Sequence, residues 1–200
     1  MATYDFPNIR PSNQTFEFVT NTKRFVSPLS NAVQTVTRQG SHWKTTMVFN
    51  NVTDSERAEL QAFLTKLDGQ THRVRLRDYG AIRRGAATSG DTLLVRGAGQ
   101  SGSSIDLDGA TFLVTGYLKA GDYISFNGEL HMVTADADSD AGGELTVSIA
   151  PPIRKVPADN VAVTHIEATG VFMVTNNPQW RTQPPYFSTI TVEAIEDVLA

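Results

Sequence analysis

The stretch of the chain that decides its fold is residues 43–69, which read WKTTMVFNNVTDSERAELQAFLTKLDG. Its first seven residues alternate in the way typical of a strand with one buried face. We therefore predict a half-buried strand. The side chains expected on its buried face are Trp43, Thr45, Met47 and Phe49.

The second part of this stretch predicts a helix that packs on a sheet. Thr53 and Glu56 have the spacing of a capping box, and acidic residues fill the first turn. Gly69 follows the last apolar residue, where helices commonly stop. The apolar side chains recur at helical spacing and form one stripe that faces a core. The stripe consists of Leu60, Phe63, Leu64 and Leu67.

After the helix, residues 73–77 alternate again, with Val74 and Leu76 expected to point inward. The arginines between them lie on the opposite side. They form either a solvated face or a contact surface for protein or nucleic acid, because arginine is the cation favoured at interfaces. The candidate subunit-interface residues are Arg73, Arg75 and Arg77.

The net charge of −4 conceals an uneven distribution along the 200 residues. Residues 1–86 carry 12 Lys and Arg against 7 Asp and Glu, residues 87–153 carry 2 against 9, and residues 154–200 carry 3 against 5. Proline and glycine mark both joints of the acidic segment, as is common at domain boundaries. We therefore predict a β-sandwich domain built from residues 1–86 and 154–200, with residues 87–153 inserted as a small β-barrel domain.

The period-two pattern of the remaining chain supports this mainly β organisation. Asn127-Gly128 is a strong hairpin signal within the acidic segment, because both residues tolerate a positive φ. Three later strands are expected to complete the sandwich. The predicted barrel strands are 92–95, 104–107, 112–114, 123–126, 130–133 and 145–149, and the later strands are 161–164, 170–174 and 189–194.

The composition excludes several classes of protein and site. The chain has no cysteine, which excludes disulfides, thiolate metal sites and cysteine nucleophiles. No apolar run reaches the roughly 18 residues of a membrane span, and the N-terminus lacks a signal-peptide pattern, so we expect no membrane insertion. The basic excess is too small to predict a continuous nucleic-acid-binding face.

Two motifs resemble ligand sites but depart from them. Residues 97–102 match G-x-G-x-x-G, yet a strand-like segment follows where a dinucleotide site needs a helix, so we interpret them as an inter-strand loop. The acidic run at residues 136–140 begins like a calcium loop, but Ala141 and Val147 stand where that loop needs glycine and a bidentate glutamate. A solvated turn is the main interpretation, and a looser calcium site that includes Glu144 is the alternative.

The sequence shows no catalytic signature. The four histidines are scattered, without an H-x-x-x-H pair that one helix could aim at a metal, and each is expected on a strand or loop surface. There is no G-x-S-x-G elbow to indicate a nucleophilic serine. We expect no enzymatic activity, no cofactor and no metal site. The histidines are His42, His72, His131 and His165.

Several features follow one another in a recognisable order. They are Trp43, the helix with Phe63, Leu64, Leu67, Asp68 and Gly69, then residues 75–79 and 83–85, and residues 119–122 at the start of a barrel strand. This progression resembles the distal tail proteins of long-tailed bacteriophages. In that family a β-sandwich domain, made from the two ends of the chain, carries a small barrel that is sometimes of the OB-fold type.

The resemblance implies a structural virion component of the phage tail. A hexameric ring of this protein would join the tail tube to the tail tip and would contact the tail tube protein and the tail-tip hub proteins. Its channel would stay open for DNA, without sequence-specific nucleic-acid binding.

The alternative function is a carbohydrate-binding or host-adhesion module whose barrel loops contact glycans. Exposed aromatic side chains would favour this alternative, but strand periodicity is expected to bury at least two of the four in the barrel segment. A tail-associated wall-degrading enzyme would need a carboxylate pair or a metal site, which the sequence does not display. The four barrel aromatics are Phe112, Tyr117, Tyr123 and Phe126.

Overall fold

The computed structural model describes residues 1–183 and 187–198. The fold is mainly β, as predicted, with fourteen strands and one helix, α1 (Asp54–Lys66), among those residues. No helix in this part of the chain is long and apolar enough to cross a membrane. The strands are β1 Thr3–Asp5, β2 Asn13–Val19, β3 Thr22–Val26, β4 Val33–Thr37, β5 His42–Val52, β6 Arg73–Leu76, β7 Leu94–Val95, β8 Gly102–Asp108, β9 Tyr123–Phe126, β10 Glu129–Val133, β11 Leu145–Ile153, β12 Gly170–Val174, β13 Arg181–Gln183 and β14 Phe187–Glu196.

The largest sheet has seven strands, in the order β1-β6-β12-β14-β5-β2, with β13 paired to β14. β1 lies parallel to β6, and the other pairs are antiparallel. Side chains of this sheet and of α1 form one hydrophobic cluster. Trp43, Thr45, Met47 and Phe49 are all buried, which confirms the predicted inner face of β5.

Helix α1 forms where the sequence predicts it, for local reasons. The Thr53 N–H donates to the Glu56 carboxylate at 3.0 Å, and the Glu56 N–H donates to the Thr53 hydroxyl at 3.3 Å, which completes the capping box. Beyond Lys66, Asp68 and Gly69 have positive φ values of 48° and 62° that end the helix. The predicted stripe faces the core, with Leu60, Leu64 and Leu67 buried and Phe63 half-buried.

Five strands form a second sheet, in the order β7-β8-β11-β10-β9, beside a second hydrophobic cluster. Asn127 and Gly128 join β9 to β10 with φ values of 52° and 82°, so the predicted hairpin is present. The division of the chain into two separately folding domains stays a prediction, and so does the boundary at residue 153.

The predicted strand at residues 112–114 is wrong. This segment is a turn in which Leu113 has a φ of 56°, and the side chains of Phe112 and Leu113 are exposed. The Val114 N–H donates to the Ser139 hydroxyl at 2.9 Å. The Ser139 hydroxyl therefore accepts the Val114 N–H, which a neighbouring strand would otherwise accept.

The segment at residues 161–164 also differs from its prediction, because it does not join the seven-stranded sheet. Ala162 and Thr164 make isolated bridges to Leu94 and Ser125 of the second sheet. Val163 is buried in the second hydrophobic cluster. The alternating pattern of this segment thus reflects burial against the other sheet.

A buried ionic cluster, defined here as Glu129, Arg154 and Glu196, joins the two sheets. The Arg154 guanidinium donates to both Glu196 carboxylate oxygens, at 2.6 and 3.0 Å, and its Nε lies 3.4 Å from Glu129 Oε1. Glu196 also accepts the N–H groups of Trp43 and Leu130, at 3.1 and 3.0 Å. Charges from β10, β14 and the segment after β11 therefore meet in one place.

Candidate interaction sites

The candidate interface arginines lie on or next to β6, and each forms an ion pair within its own chain. Arg73 pairs with Asp197, and both side chains are largely buried. Arg75 pairs with Asp5 at 2.9 Å, and 47% of the Arg75 side chain is exposed. Arg77 lies one residue beyond the strand, in the wall of a cavity. Arg75 is therefore the most accessible of the three, and their role at an interface stays a prediction.

The first candidate site is the hairpin of β3 and β4, which forms a two-stranded sheet of its own. Within the described residues these strands pair only with each other, and every residue in them is exposed. At its base, the Arg38 N–H donates to the Asn21 carbonyl at 2.9 Å, and the Asn21 amide donates to the Gln39 carbonyl at 2.8 Å. These bonds join the two arms of the hairpin at its base, and its strands lie outside the two larger sheets.

The hairpin combines exposed apolar side chains with positive charge. Leu29 at its tip is 97% exposed. No acidic residue occurs between Glu17 and Asp54. Soluble monomers rarely leave large apolar patches in water, so such a patch indicates an interaction surface. The exposed apolar residues are Phe25, Val26, Leu29, Val33 and Val36, and the cations are Lys23, Arg24 and Arg38.

The second candidate site is a cavity of about 560 Å³ between the two larger sheets. It forms where the chain leaves β6, where β9 begins and where the segment before β12 passes. Three arginines, two tyrosines and three carboxylates contribute to its wall. The wall consists of residues 8, 10, 77–79, 81–83, 89, 121–123 and 166–168.

Most of the charged groups in this wall already have partners. Arg77 pairs with Glu167 and lies over the Tyr79 ring, 4.9 Å from its centre. This pairing raises the pKa of Arg77 and lowers the pKa of Glu167. Burial, together with the charge and hydrogen bonding of Asp78, raises the pKa of the Tyr123 hydroxyl.

A third carboxylate, that of Asp122, is buried and holds the chain that enters the second sheet. It accepts three backbone N–H groups at 2.6–2.9 Å, two of them from Arg84 and Gly85. Any larger residue at Gly85 would clash, because its Cβ would lie 2.4 Å from the Tyr117 carbonyl oxygen. The backbone next to Arg83 is therefore fixed at the edge of the cavity.

Two arginines of the wall have no carboxylate within ion-pair distance in the described part of the chain, Arg10 and Arg83. Arg10 donates to the Tyr79 carbonyl at 3.0 Å. Arg83 is exposed, and no hydrogen bond of its guanidinium occurs among those residues. These two guanidinium groups are the positive charges of the wall that have no ion-pair partner among the described residues, and Asp78 is a carboxylate of the wall without one.

Two of the four histidines contradict the predicted surface positions, since His131 is completely buried and His165 nearly so. His131 stacks on Phe126 at 4.6 Å, and its Nδ1 lies 2.8 Å from the Pro151 carbonyl oxygen. His165 Nε2 lies 2.9 Å from the Thr88 carbonyl oxygen. A backbone carbonyl thus binds one ring nitrogen of each of these two histidines, which lowers the cost of burying the ring.

The two motifs that resemble ligand sites are loops whose polar groups are used internally. Residues 97–101 lie in the loop between β7 and β8, as predicted, and Gly102 begins β8. The Gly97 N–H donates to Asp159 at 2.7 Å. Asp140 accepts the N–H groups of Glu144 and of one other loop residue, and these bonds lower its pKa. Over residues 1–183 and 187–198, no group of three or more His, Cys, Asp or Glu side chains is arranged to hold a metal ion.

The sequence pattern predicts neither the hairpin nor the cavity. A signal for the hairpin exists, because Pro28, Ser30 and Asn31 are turn formers between two segments rich in threonine and valine. The exposure of both its faces has no comparable signal. The cavity has none either, since its wall comes from stretches that are far apart along the chain.

Comparisons with known proteins identify no relative, since no protein-family model matches the sequence and no curated protein matches it. The resemblance to phage distal tail proteins gains no support from these comparisons. A fold by itself does not define a function. The hairpin and the cavity are therefore the features that bear on function.

Proposed function

We propose that this protein is a structural component of a phage tail, a distal tail protein whose hexameric ring joins the tail tube to the tail tip. The observation that supports an assembly role is the β3–β4 hairpin, which presents apolar side chains and positive charge without a partner in the described part of its own chain. The hexameric state and the position in the tail come from the family resemblance.

The partner of the hairpin is a second copy of the chain. A two-stranded ribbon is at best marginally stable alone in water, so packing against another surface would stabilise it. Residues 20–40 carry three cations and no acidic residue. Residues 87–153 carry 9 acidic residues against 2 basic ones, and of the acidic residues Asp122 and Glu129 are buried. Each copy therefore offers both members of a complementary charge pair, and such complementarity favours association in one orientation.

This contact leads to a ring because it joins two different surfaces. The hairpin of one copy meets the acidic segment of the next, which makes the interface head-to-tail. Head-to-tail contacts generate closed rings when their rotation closes. A ring leaves an axial channel, through which DNA passes without its bases being recognised.

Light scattering after size exclusion, followed by electron microscopy of the purified chain, tests the proposal. We expect a ring, and we expect the double change Phe25→Ser and Leu29→Ser to shift the protein to monomers, because it removes apolar contact area from the hairpin. Val156→Ser is the control, since Val156 is an exposed apolar residue outside the hairpin. A wild-type chain that is monomeric in solution and lies away from the tail axis in intact particles would contradict the proposal.

The same assay tests the arginine interface. Arg75→Glu places a negative charge on the accessible part of β6, so it should weaken assembly if this surface faces a neighbour. The thermal unfolding of the monomer should change little, because the pair of Arg75 with Asp5 is exposed. Unaltered assembly would remove Arg75 from the interface and leave the hairpin contact in place.

The barrel aromatics give the adhesion alternative little support. Tyr117 and Phe126 are buried, Tyr123 is half-buried, and Phe112 is exposed. A single exposed ring does not form an extended platform for a glycan. The half-buried Tyr123, however, lines the cavity.

A further inference from the structure

We propose that the cavity between the two larger sheets binds a sugar unit that carries a carboxylate or a phosphate group. Its volume of about 560 Å³ is that of a small-molecule site, since such sites commonly measure about 300–1,000 Å³. The cavity lies entirely within one chain. The inference is therefore independent of the ring and holds for a monomer as well.

The charges of the wall indicate an anionic ligand. Two of the three carboxylates are engaged, because Glu167 pairs with Arg77 and Asp122 accepts three backbone N–H groups. Arg10 and Arg83 have guanidinium donors without a partner among the described residues. Guanidinium groups bind carboxylates and phosphates in a planar, two-pronged geometry, so an acidic group of the ligand is their natural partner.

The remaining polar groups indicate that the ligand also carries hydroxyls. A carboxylate has about four acceptor positions, and Asp78 accepts a single backbone N–H, at 2.8 Å, besides its contact with Tyr123. The side chains of Asn8 and Ser89 add further hydrogen-bonding groups to the wall. A simple anion would leave these acceptors unused, and a neutral sugar would leave the guanidinium groups unpaired. An acidic sugar satisfies both sets.

The wall is held in place before any ligand binds. The Tyr79 N–H donates to the Gln14 side chain at 2.7 Å, and its carbonyl accepts from Arg10 at 3.0 Å. Asp122 fixes the backbone beside Arg83. A preorganised wall loses little conformational entropy on binding, which favours affinity for a small ligand.

Isothermal titration calorimetry of the full chain with four probes tests this inference. The probes are glucuronate, glucose 6-phosphate, glucose and inorganic phosphate. We expect saturable binding of glucuronate, of glucose 6-phosphate or of both, and the two acidic probes distinguish a carboxylate-bearing from a phosphate-bearing ligand. Glucose should not bind, and inorganic phosphate should bind more weakly than the acidic sugar.

Variants assign the binding to the cavity. Arg83→Gln should weaken the binding of the acidic sugar at least about tenfold, which is equivalent to roughly 1.4 kcal/mol of binding free energy. The affinity of Arg83→Lys should lie between those of the wild type and of Arg83→Gln, because lysine keeps the positive charge but lacks the planar guanidinium group. Arg57→Gln is the matched control, since Arg57 lies on α1, outside both the cavity wall and the hairpin. Thermal unfolding should change little in these variants, because Arg83 is exposed and the pair of Arg57 with Asp54 lies at the surface.

Several results would overturn the inference. They are the absence of saturable binding of either acidic sugar at millimolar concentration, equal affinity for glucose and glucuronate, equal affinity for phosphate and glucose 6-phosphate, and binding that Arg83→Gln leaves unchanged. None of these results bears on the ring, which the oligomeric state tests separately.

Discussion

Arg154 shows how one residue can hold two sheets together. Its guanidinium lies between Glu129 and Glu196, and all three side chains are at least nine-tenths buried. The Glu129 carboxylate also accepts the N–H groups of Arg154 and Lys155, at 3.2 and 3.0 Å. A buried ion pair of this kind costs desolvation energy when it forms, so its net stabilisation is modest, but removal of one partner leaves an uncompensated charge.

Arg154→Met should therefore lower the free energy of unfolding by about 3–5 kcal/mol. Urea denaturation followed by circular dichroism measures the loss. The matched control is Arg57→Met, which breaks the exposed pair with Asp54 on α1 and should change stability by less than about 0.5 kcal/mol. A loss below about 1 kcal/mol at Arg154 would show that water already solvates the junction.

The ionic cluster also predicts an acid-sensitive junction. Burial alone raises the pKa of Glu129, but hydrogen bonds from His131 and the Arg154 N–H, together with the Arg154 charge, outweigh it and hold the pKa below the ordinary 4.5. Glu129 thus stabilises the fold fully above pH 4.5, and this contribution is lost as the pH falls through the lowered pKa. Stability measured against pH should therefore fall on the acid side less steeply in Glu129→Gln than in the wild type. Glu59→Gln on the exposed side of α1 should leave the acid dependence unchanged.

The sequence predicts none of these three residues as a site. Arg154, Glu129 and Glu196 lie on different elements, and each alone is typical of a solvated surface. Their burial follows from the way the two sheets meet. Sequence periodicity describes one element at a time, so contacts between distant elements escape it.

Among the elements, α1 is the one that local sequence determines most completely. The capping box, the positive φ after Lys66 and the buried stripe all agree with prediction, because each depends on residues within one or two turns. The β3–β4 hairpin is the opposite case. The rule that finds strands assumes one buried face, and both faces of this hairpin are exposed.

Leu64→Ala should lower the free energy of unfolding by about 2–5 kcal/mol, because it leaves a cavity between α1 and the seven-stranded sheet. Leu64 is buried in the first hydrophobic cluster. Gln61→Ala, on the exposed side of the same helix, is the control and should stay within about 0.5 kcal/mol of the wild type. Equal effects of the two changes in chemical denaturation would show that α1 does not contribute this face to the core.

At the scale of the whole molecule, residues that follow the predicted boundary at 153 pack against the second sheet. Charge composition predicts an inserted segment that ends at residue 153. In the structure, Val161 and Val163 pack with the second hydrophobic cluster, and the Lys155 N–H donates to Glu129. Charge composition does not register this packing, because the contacts of residues 155–163 are with side chains and carboxylates that are distant along the chain.

This packing makes two deletions differ in their outcome. Removing residues 88–152 leaves Val161, Val163 and His165 without the side chains and carbonyls that they contact. Removing residues 87–166 takes residues 153–166 away as well. It retains the seven-stranded sheet, α1 and most of the cluster between them, which loses Leu130 and the packed side chains of Tyr123 and Met132. Glu196 then loses Arg154 and Leu130 but keeps the N–H of Trp43, and its carboxylate becomes accessible to water.

With a short Gly/Ser linker closing each gap, we expect the longer deletion to unfold in one cooperative thermal transition. The shorter deletion should unfold at lower temperature and over a broader temperature range. It should also bind a hydrophobic dye, because Val161 and Val163 lose their packing partners and are exposed. Scanning calorimetry distinguishes the two. A cooperative transition at the same temperature in both would mean that residues 154–166 pack independently of the second sheet. If neither retains a transition, the seven-stranded sheet depends on the second sheet for its own stability, and the ionic cluster would then be part of a single core.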